Sequence, residues 1–337
     1  MQRRGRRAAG IDLRQCSAGA CEQNDKGNGR THAAPQADAD LASIEDGGET
    51  VAVRVIMAPD MLVSTEELAR HLDDPAWVVF DTRHDLMDPE KGRRAYAAAH
   101  VPGAYFLHVD EDLSGPRTGA NGRHPLPDVA TFAAKMNRCG VAPGVQVVAY
   151  DDLGGNFAVR LWWMLRWLGH DRVALLDGGL PLWEKEGRPL AKEVPGPRPG
   201  AFVARAHLGA TVDVHFVERF REDPSLRLID ARAAERFRGL NETIDPVAGH
   251  IPGAVNRFWK ANLAPDGRFK TPAELRREYD EALHGTRPES AVHMCGSGVT
   301  ACHNIFAMEL AGLPGGRLYP GSWSEWCADR SRPVATT

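Results

Sequence analysis

The chain has 337 residues, 43% of them hydrophobic and 26% charged, with a formal net charge of −4. That length suits two modest cores better than one, because single cores stop growing at roughly 250 to 300 residues, and the near-neutral balance leaves no basic face for nucleic acid. No apolar run approaches the roughly 18 residues of a membrane-crossing helix, since the most apolar stretch, Phe157 to Leu168, is interrupted by Arg160 and Arg166.

In chain order, residues 1–56 open on Arg3, Arg4, Arg6 and Arg7 and continue in Gly, Ala, Asp and Asn without apolar periodicity, which predicts a disordered N-terminal extension. Acidic residues such as Asp12, Glu22 and Asp25 argue against a transit peptide, and Met57 is a natural alternative start. Six cysteines in a long chain without a secretory hydrophobic region fit a reducing, cytoplasmic setting better than a disulfide scaffold.

From residue 57 onward the chain repeats itself. WVVFD ending at Asp81 recurs as LRLID ending at Asp230, and His100-Val-Pro-Gly-Ala recurs as His250-Ile-Pro-Gly-Ala. VVAYD ending at Asp151 matches AVHMC ending at Cys295, and Asp177-Gly-Gly-Leu-Pro-Leu-Trp matches Pro320-Gly-Ser-Trp-Ser-Glu-Trp. Landmarks repeated in one order mean a duplicated domain. The expected division is 57–190 and 211–330, joined by a linker at 191–210 whose Pro195-Gly-Pro-Arg-Pro-Gly200 segment is stiff and extended. Short β-branched runs at Val78–Phe80, Val145–Ala149 and Val173–Leu176, then at Leu226–Ile229, Ala291–Met294 and Arg317–Tyr319, alternate with helical patterns. That alternation predicts an α/β fold in which each half is a parallel sheet flanked by helices. Helices over Phe157–Leu168 and Thr300–Ala311 should each close on the glycine that follows, Gly169 and Gly312.

The chemistry is expected where a strand ends at Cys295 and runs through Gly296-Ser297-Gly298-Val299-Thr300 into a helix. Open α/β sheets bind ligands at this edge, and the two glycines let successive backbone N–H groups turn toward one point. Such a cradle, with the positive end of a helix dipole behind it, favours a thiolate over a thiol and equally accommodates a persulfide anion. Cys302 falls within the following helix beside Ile305 and Phe306 and reads as core. No Cys-x-x-Cys or His-Glu-x-x-His spacing exists, so neither a metal nor an organic cofactor is expected.

The segment Cys295-Gly-Ser-Gly-Val-Thr-Ala-Cys302 resembles the active-site loop of 3-mercaptopyruvate sulfurtransferases in the rhodanese superfamily. The likeness extends from Met61 to Cys327 through the paired His-Val/Ile-Pro-Gly-Ala motifs, Arg160-Leu-Trp-Trp, Leu176-Asp-Gly-Gly179, Arg236-Phe-Arg-Gly239 and Gly321-Ser-Trp-Ser-Glu-Trp326. It implies two tandem rhodanese-like domains, a first half without a nucleophile because Asp151 stands in the cysteine's place, and a Cys295 persulfide in the second. The outer sulfur would pass from a small donor to cyanide, a thiol or a thioredoxin-like protein. Thiosulfate-preferring relatives typically place Arg and Lys where Gly296 and Ser297 stand, so the neutral pair points to 3-mercaptopyruvate.

By the same resemblance, Arg236 binds the substrate carboxylate, Ser297 and Asp110 assist Cys295 as a proton relay, and His124 lines the cleft from the first half. Residues 296–300 (Gly296, Ser297, Gly298, Val299, Thr300) form the substrate loop. A second substrate arginine often follows Arg-Phe-Arg-Gly in these enzymes, but Leu240 to Ala248 contains none, and Arg238 is the candidate to compensate. Alternatives are a thiosulfate-preferring rhodanese and a silent rhodanese-like binding module. A cysteine phosphatase fits worse, because those enzymes resemble Cys-x5-Arg and the sixth residue after Cys295 is Ala301. His100 and His250 occur in both halves and are expected to be structural, and Trp162, Trp163 and Trp167 to pack as helix core.

Overall fold

The computed structural model describes residues 61–336; the N-terminal extension expected over 1–56, with the Met57 start, lies outside the described residues. The first half builds a sheet from β1 (Leu62–Val63), β2 (Trp77–Asp81), β3 (Tyr105–Phe106), β4 (Gln146–Tyr150) and β5 (Val173–Leu176). Interleaved with these are α1 (Thr65–Arg70), α2 (Lys91–Ala98), α3 (Val129–Arg138), α4 (Ala158–Trp167) and α5 (Gly179–Lys185). The second half repeats the plan with β6 (Arg227–Asp230), β7 (Val255–Asn256), β8 (Ala291–Met294) and β9 (Arg317–Leu318), and with α6 (Val214–Phe220), α7 (Ala234–Phe237), α8 (Pro272–Leu283), α9 (Ala301–Leu310) and α10 (Ser322–Trp326).

Strand order is β1-β5-β4-β2-β3 in one sheet and β7-β6-β8-β9 in the other. Every pairing is parallel. Parallel neighbours need crossovers, and the helices that supply them cover both faces, which is why β4 and β8 read as continuous apolar runs rather than alternating ones. The second half keeps a remnant of a fifth strand: Thr211 makes a single parallel bridge to Leu318, at the position β1 holds beside β5.

Duplication is visible in side chains too. Arg83 clasps Asp81 and the Ala99 carbonyl in the first half, and Arg232 clasps Asp230 and the Gly249 carbonyl in the second. His100 stacks on Tyr96 and bonds its carbonyl, while its backbone bridges Ala191; His250 does the same with Phe237 and Ala335. The paired histidines therefore tie down the strap that closes each half, in keeping with a structural role.

Up to residue 207 the 191–210 segment has neither helix nor strand, in keeping with its prolines, and Leu208–Ala210 form one 3-10 turn; the segment is laid along the first half rather than free of it. Arg198 bridges Cys139, Phe202 is buried, and the N–H groups of Arg205 and His207 donate to Leu168 and Trp167. The halves meet through α4 and α9, both apolar on nearly every side because each is buried between its own sheet and the other helix. Trp162 meets Phe306 edge to face at 4.8 Å, Trp163 stacks on Trp167, and Arg166 pairs with Glu309 at the rim. One hydrophobic core runs from Leu161 and Trp162 into Ile305 and Phe306, so the halves are fixed against each other.

Candidate active site

Cys295 leaves the carboxyl end of β8, in the middle of its sheet. Its Sγ accepts hydrogen bonds from the backbone N–H groups of Gly298 at 3.1 Å and Ser297 at 3.4 Å. Gly298 makes this turn possible: its φ is +79°, and a Cβ there would lie 2.3 Å from the Pro320 carbonyl oxygen. The loop is braced from the β9–α10 turn. The Cys295 N–H donates to Ser322 Oγ, and the N–H groups of Trp323 and Ser324 donate to the carbonyls of Cys295 and Gly296. Amides held this rigidly around a sulfur favour its anion, because they need no reorganisation when charge develops.

The first half holds the same geometry around a different atom. Asp151, at the end of β4, receives four backbone N–H groups, from Leu153, Gly155, Phe157 and Ala158, at 2.7 to 2.9 Å. Burial pushes this carboxyl up, and the four amides pull the other way. The equivalent loop thus cradles a built-in anion where the second half presents a cysteine.

Beside the sulfur, a chain of hydrogen-bonded side chains crosses between the halves. Ser297 Oγ lies 2.7 Å from His124 Nδ1, and His124 Nε2 lies 3.0 Å from Asp110 Oδ1. A carboxylate only accepts, so Nε2 carries the proton and Nδ1 accepts from the serine hydroxyl. The His124 hydrogen bond, against the cost of burial and with help from Arg117, holds Asp110 well below the usual carboxylate range. Burial lowers His124, against the opposing pull of the Asp110 carboxylate. Arg160 organises both sides from below: fully buried in α4, it donates to the carbonyls of Leu113, His124 and Gly298.

The mouth is a cavity of about 220 Å³ lined by Cys295, Gly296, Ser297, Val299 and Thr300, with Arg123, Arg232, Arg236 and Trp259 around them. Arg236 reaches it from α7, where Glu242 takes its Nε and Nη2, and Asp245 also accepts from Nη2 at 3.0 Å. Arg238, expected as a helper, is not brought there: one helical step past buried Phe237, it is exposed and donates to the Ala234 carbonyl. Cys302 is in the core, its thiol pushed up to about 12 by burial, and bonds the Gly298 carbonyl.

Sequence reasoning had missed Arg123, Glu242 and Asp245. The first sits in Gly122-Arg123-His124, next to a residue already singled out, and the other two fall within the segment noted only for lacking arginine.

The rhodanese-like domain family matches this chain twice, at residues 64–186 and 213–329. A relative from Pseudomonas aeruginosa, named "Probable 3-mercaptopyruvate sulfurtransferase", is 48% identical over 282 residues, spanning 83% of this chain and 99% of that protein. The "Thiosulfate sulfurtransferase" of Mus musculus is 36% identical over 277 residues, 79% of this chain and 91% of the relative. Among solved structures, the 3-mercaptopyruvate sulfotransferase SseA from Escherichia coli superposes with a TM-score of 0.67 at 32% identity, covering 78% of this chain and 98% of that one. Duplicated parallel sheets, a cysteine loop at the edge of the second and relatives matched over nearly their whole length lead to one conclusion: this chain belongs to the rhodanese family of tandem-domain sulfurtransferases.

Proposed function

We propose that the chain takes a sulfane sulfur from 3-mercaptopyruvate, or from thiosulfate as the second-choice donor, and passes it through a Cys295 persulfide to a thiophilic acceptor such as cyanide, a small thiol or a thioredoxin-like protein. The observation that carries this reading is the Cys295 sulfur facing two backbone N–H groups beside the Ser297–His124–Asp110 relay.

In the first half-reaction the Cys295 thiolate attacks the donor sulfur. A sulfur–sulfur bond forms, the carbon–sulfur bond breaks, and pyruvate leaves as its enolate. The enolate takes a proton to become pyruvate, and Ser297 backed by His124 is placed to deliver it. Arg236 holds the carboxylate of the donor, a task that suits a planar guanidinium. In the second half-reaction the acceptor attacks the outer sulfur, and the Cys295 thiolate is the leaving group. No further oxidant or reductant enters the balance.

The first half serves as the partner that brings His124 and Asp110, its own loop being filled by Asp151. No described helix is long and apolar enough to cross a membrane. The four described cysteines are unpaired, which supports a reducing compartment such as the cytoplasm.

The test is intact mass after treatment with 3-mercaptopyruvate. A gain of one sulfur atom, lost on adding cyanide and absent from Cys295→Ser, is expected. No gain in the wild-type chain with either donor would favour a silent binding module, and a gain with thiosulfate alone would make thiosulfate the donor.

A further inference from the structure

We infer that the first half carries a site for a divalent transition-metal ion, made by His84, His108 and Asp110, and that an ion bound there inhibits the chain by drawing the Asp110 carboxylate away from His124. The three residues meet because β2 and β3 are parallel neighbours, with Asp81 beside Phe106, so the chain leaves both strands at one edge of the sheet. His84 follows the end of β2, and His108 and Asp110 follow the end of β3. The ligand atoms that they offer lie within 4.8 Å of one another.

Each donor has a lone pair to give. Burial holds His84 down to about 4, so its ring is neutral near pH 7. Neither of its nitrogens has a protein hydrogen bond among the described residues: Nδ1 is buried without a partner, and Nε2 stops 3.9 Å short of Asp110 Oδ2. That gap is too long for a hydrogen bond and near the roughly 3.4 Å between two ligands of a tetrahedral ion with bonds of about 2.1 Å. His108 Nε2 lies 3.1 Å from the Pro89 carbonyl, which only accepts, so the free pair is on Nδ1, where the Asp110 N–H now donates and an ion would take its place. Asp110 is ionised, with Oδ1 bonded to His124 and Arg117 and Oδ2 turned to His84.

The surroundings admit a cation. Asp110 is 23% exposed, which opens a path from solvent, and Glu90 and Glu111 at His108 make the approach acidic. Arg117 is the competing cation, and at 52% exposure it has room to swing aside. The fold itself does not require these donors. By the matching register of the second half, Asp230 beside Asn256, their counterparts are Ala233, Phe258 and Lys260, whereas the structural His100 recurs as His250. Two imidazoles and a carboxylate, with a position left for water, suit Zn²⁺, Co²⁺ or Ni²⁺ rather than Mg²⁺ or Ca²⁺, which take oxygen sets. Such an ion serves no step at Cys295. It competes with His124 for the carboxylate, slowing delivery of a proton to the pyruvate enolate while leaving the attacking sulfur untouched.

The metal site is independent of the 3-mercaptopyruvate reading, and only its inhibitory effect rests on that reading. Co²⁺ is the probe, titrated into the full chain after iodoacetamide has capped the accessible thiols. The d–d absorption of an ion held by nitrogen and oxygen, without a thiolate charge-transfer band, is expected, and Zn²⁺ should displace it. His84→Gln and His108→Gln should each weaken Co²⁺ binding at least about tenfold. The uncapped chain, loaded with Zn²⁺ and freed of excess because 3-mercaptopyruvate itself binds zinc, should take up sulfur in a single turnover at least about tenfold more slowly. Alkylation of Cys295 should keep its rate, and His84→Gln should lose the zinc effect. A folded histidine variant with Co²⁺ affinity within about twofold of wild type overturns the site. Should neither variant fold, a wild-type spectrum showing only hydrated or thiolate-bound cobalt overturns it instead. A filled site that leaves sulfur uptake at its original rate overturns the inhibition. If cobalt binds as expected while the ion-free chain takes no sulfur from 3-mercaptopyruvate, the metal site stands and the donor reading fails.

Discussion

Gly298→Ala separates the amide cradle from every other feature of the site. The native φ of +79° costs a residue with a Cβ about 1 to 2 kcal/mol. The new methyl would also stand 2.3 Å from the Pro320 carbonyl oxygen and 3.0 Å from its Cα, both backbone atoms with no side-chain freedom to yield. Relief requires the loop to move, which adds about 1 to 3 kcal/mol of overpacking strain. Movement of that size pulls the Gly298 N–H from its 3.1 Å contact with Sγ. A hydrogen bond to a charged group is worth about 1.5 to 3 kcal/mol, or roughly ten- to a hundredfold in rate. The assay is alkylation of Cys295 by neutral iodoacetamide at pH 7, alongside single-turnover uptake of sulfur. Gly296→Ala is the contrast, because its Cβ meets only the flexible ends of Arg123 and Arg236 and should leave iodoacetamide reactivity near wild type. A folded Gly298→Ala chain that alkylates at the wild-type rate would refute the idea that this amide supports the sulfur anion.

The relay and the core make further predictions. Ser297→Ala and His124→Ala should each lower kcat by about a hundredfold, and the double variant by little more, because the two act through one hydrogen bond; multiplicative losses in steady-state turnover would show separate roles. His293, in β8, has both ring nitrogens buried without partners, and burial holds it down to about 3. Its folded value lies below the unfolded value of 6.5, so the unfolded chain binds the extra proton and stability falls as pH drops below 6.5. By pH 5 the loss is about 2 kcal/mol, and His293→Leu should remove it. Denaturant titrations at pH 7.5 and pH 5 check this, and an unchanged pH dependence in the variant would exclude His293 as its source.

What could be read from the sequence was what the chain encodes locally. The strand ending at Cys295, the Gly296 and Gly298 turn and the helix after it lie within a dozen residues, and the β-branched runs of both halves mark their own strands. The duplication was legible because two copies of a single plan keep their landmarks in order. What escaped depends on how the halves dock. Arg123 earns no notice in its own segment, and only the approach of Gly122 to Gly321 brings it over Gly296. Asp245 reads as the loss of a basic residue until Arg123 and Arg236 are seen on its two oxygens. Arg238 failed for a simpler reason: adjacent to a buried Phe237 in a short helix, it faces away from the cavity that Arg236 enters. The proline-rich connector announces itself by composition, but that composition is silent about the surface it follows.

The carboxylate of Asp151 acts as a permanent plug. A turn already occupied by a covalently attached guest has no vacancy for a sulfur donor, and the strands beneath it are relieved of any need to expose a reactive atom. The neighbouring loops could then specialise in serving the other copy, which is where Asp110, Arg123 and His124 now point. Cutting the chain between its halves would leave Cys295 and Ser297 on one fragment and their neighbours His124 and Asp110 on the other.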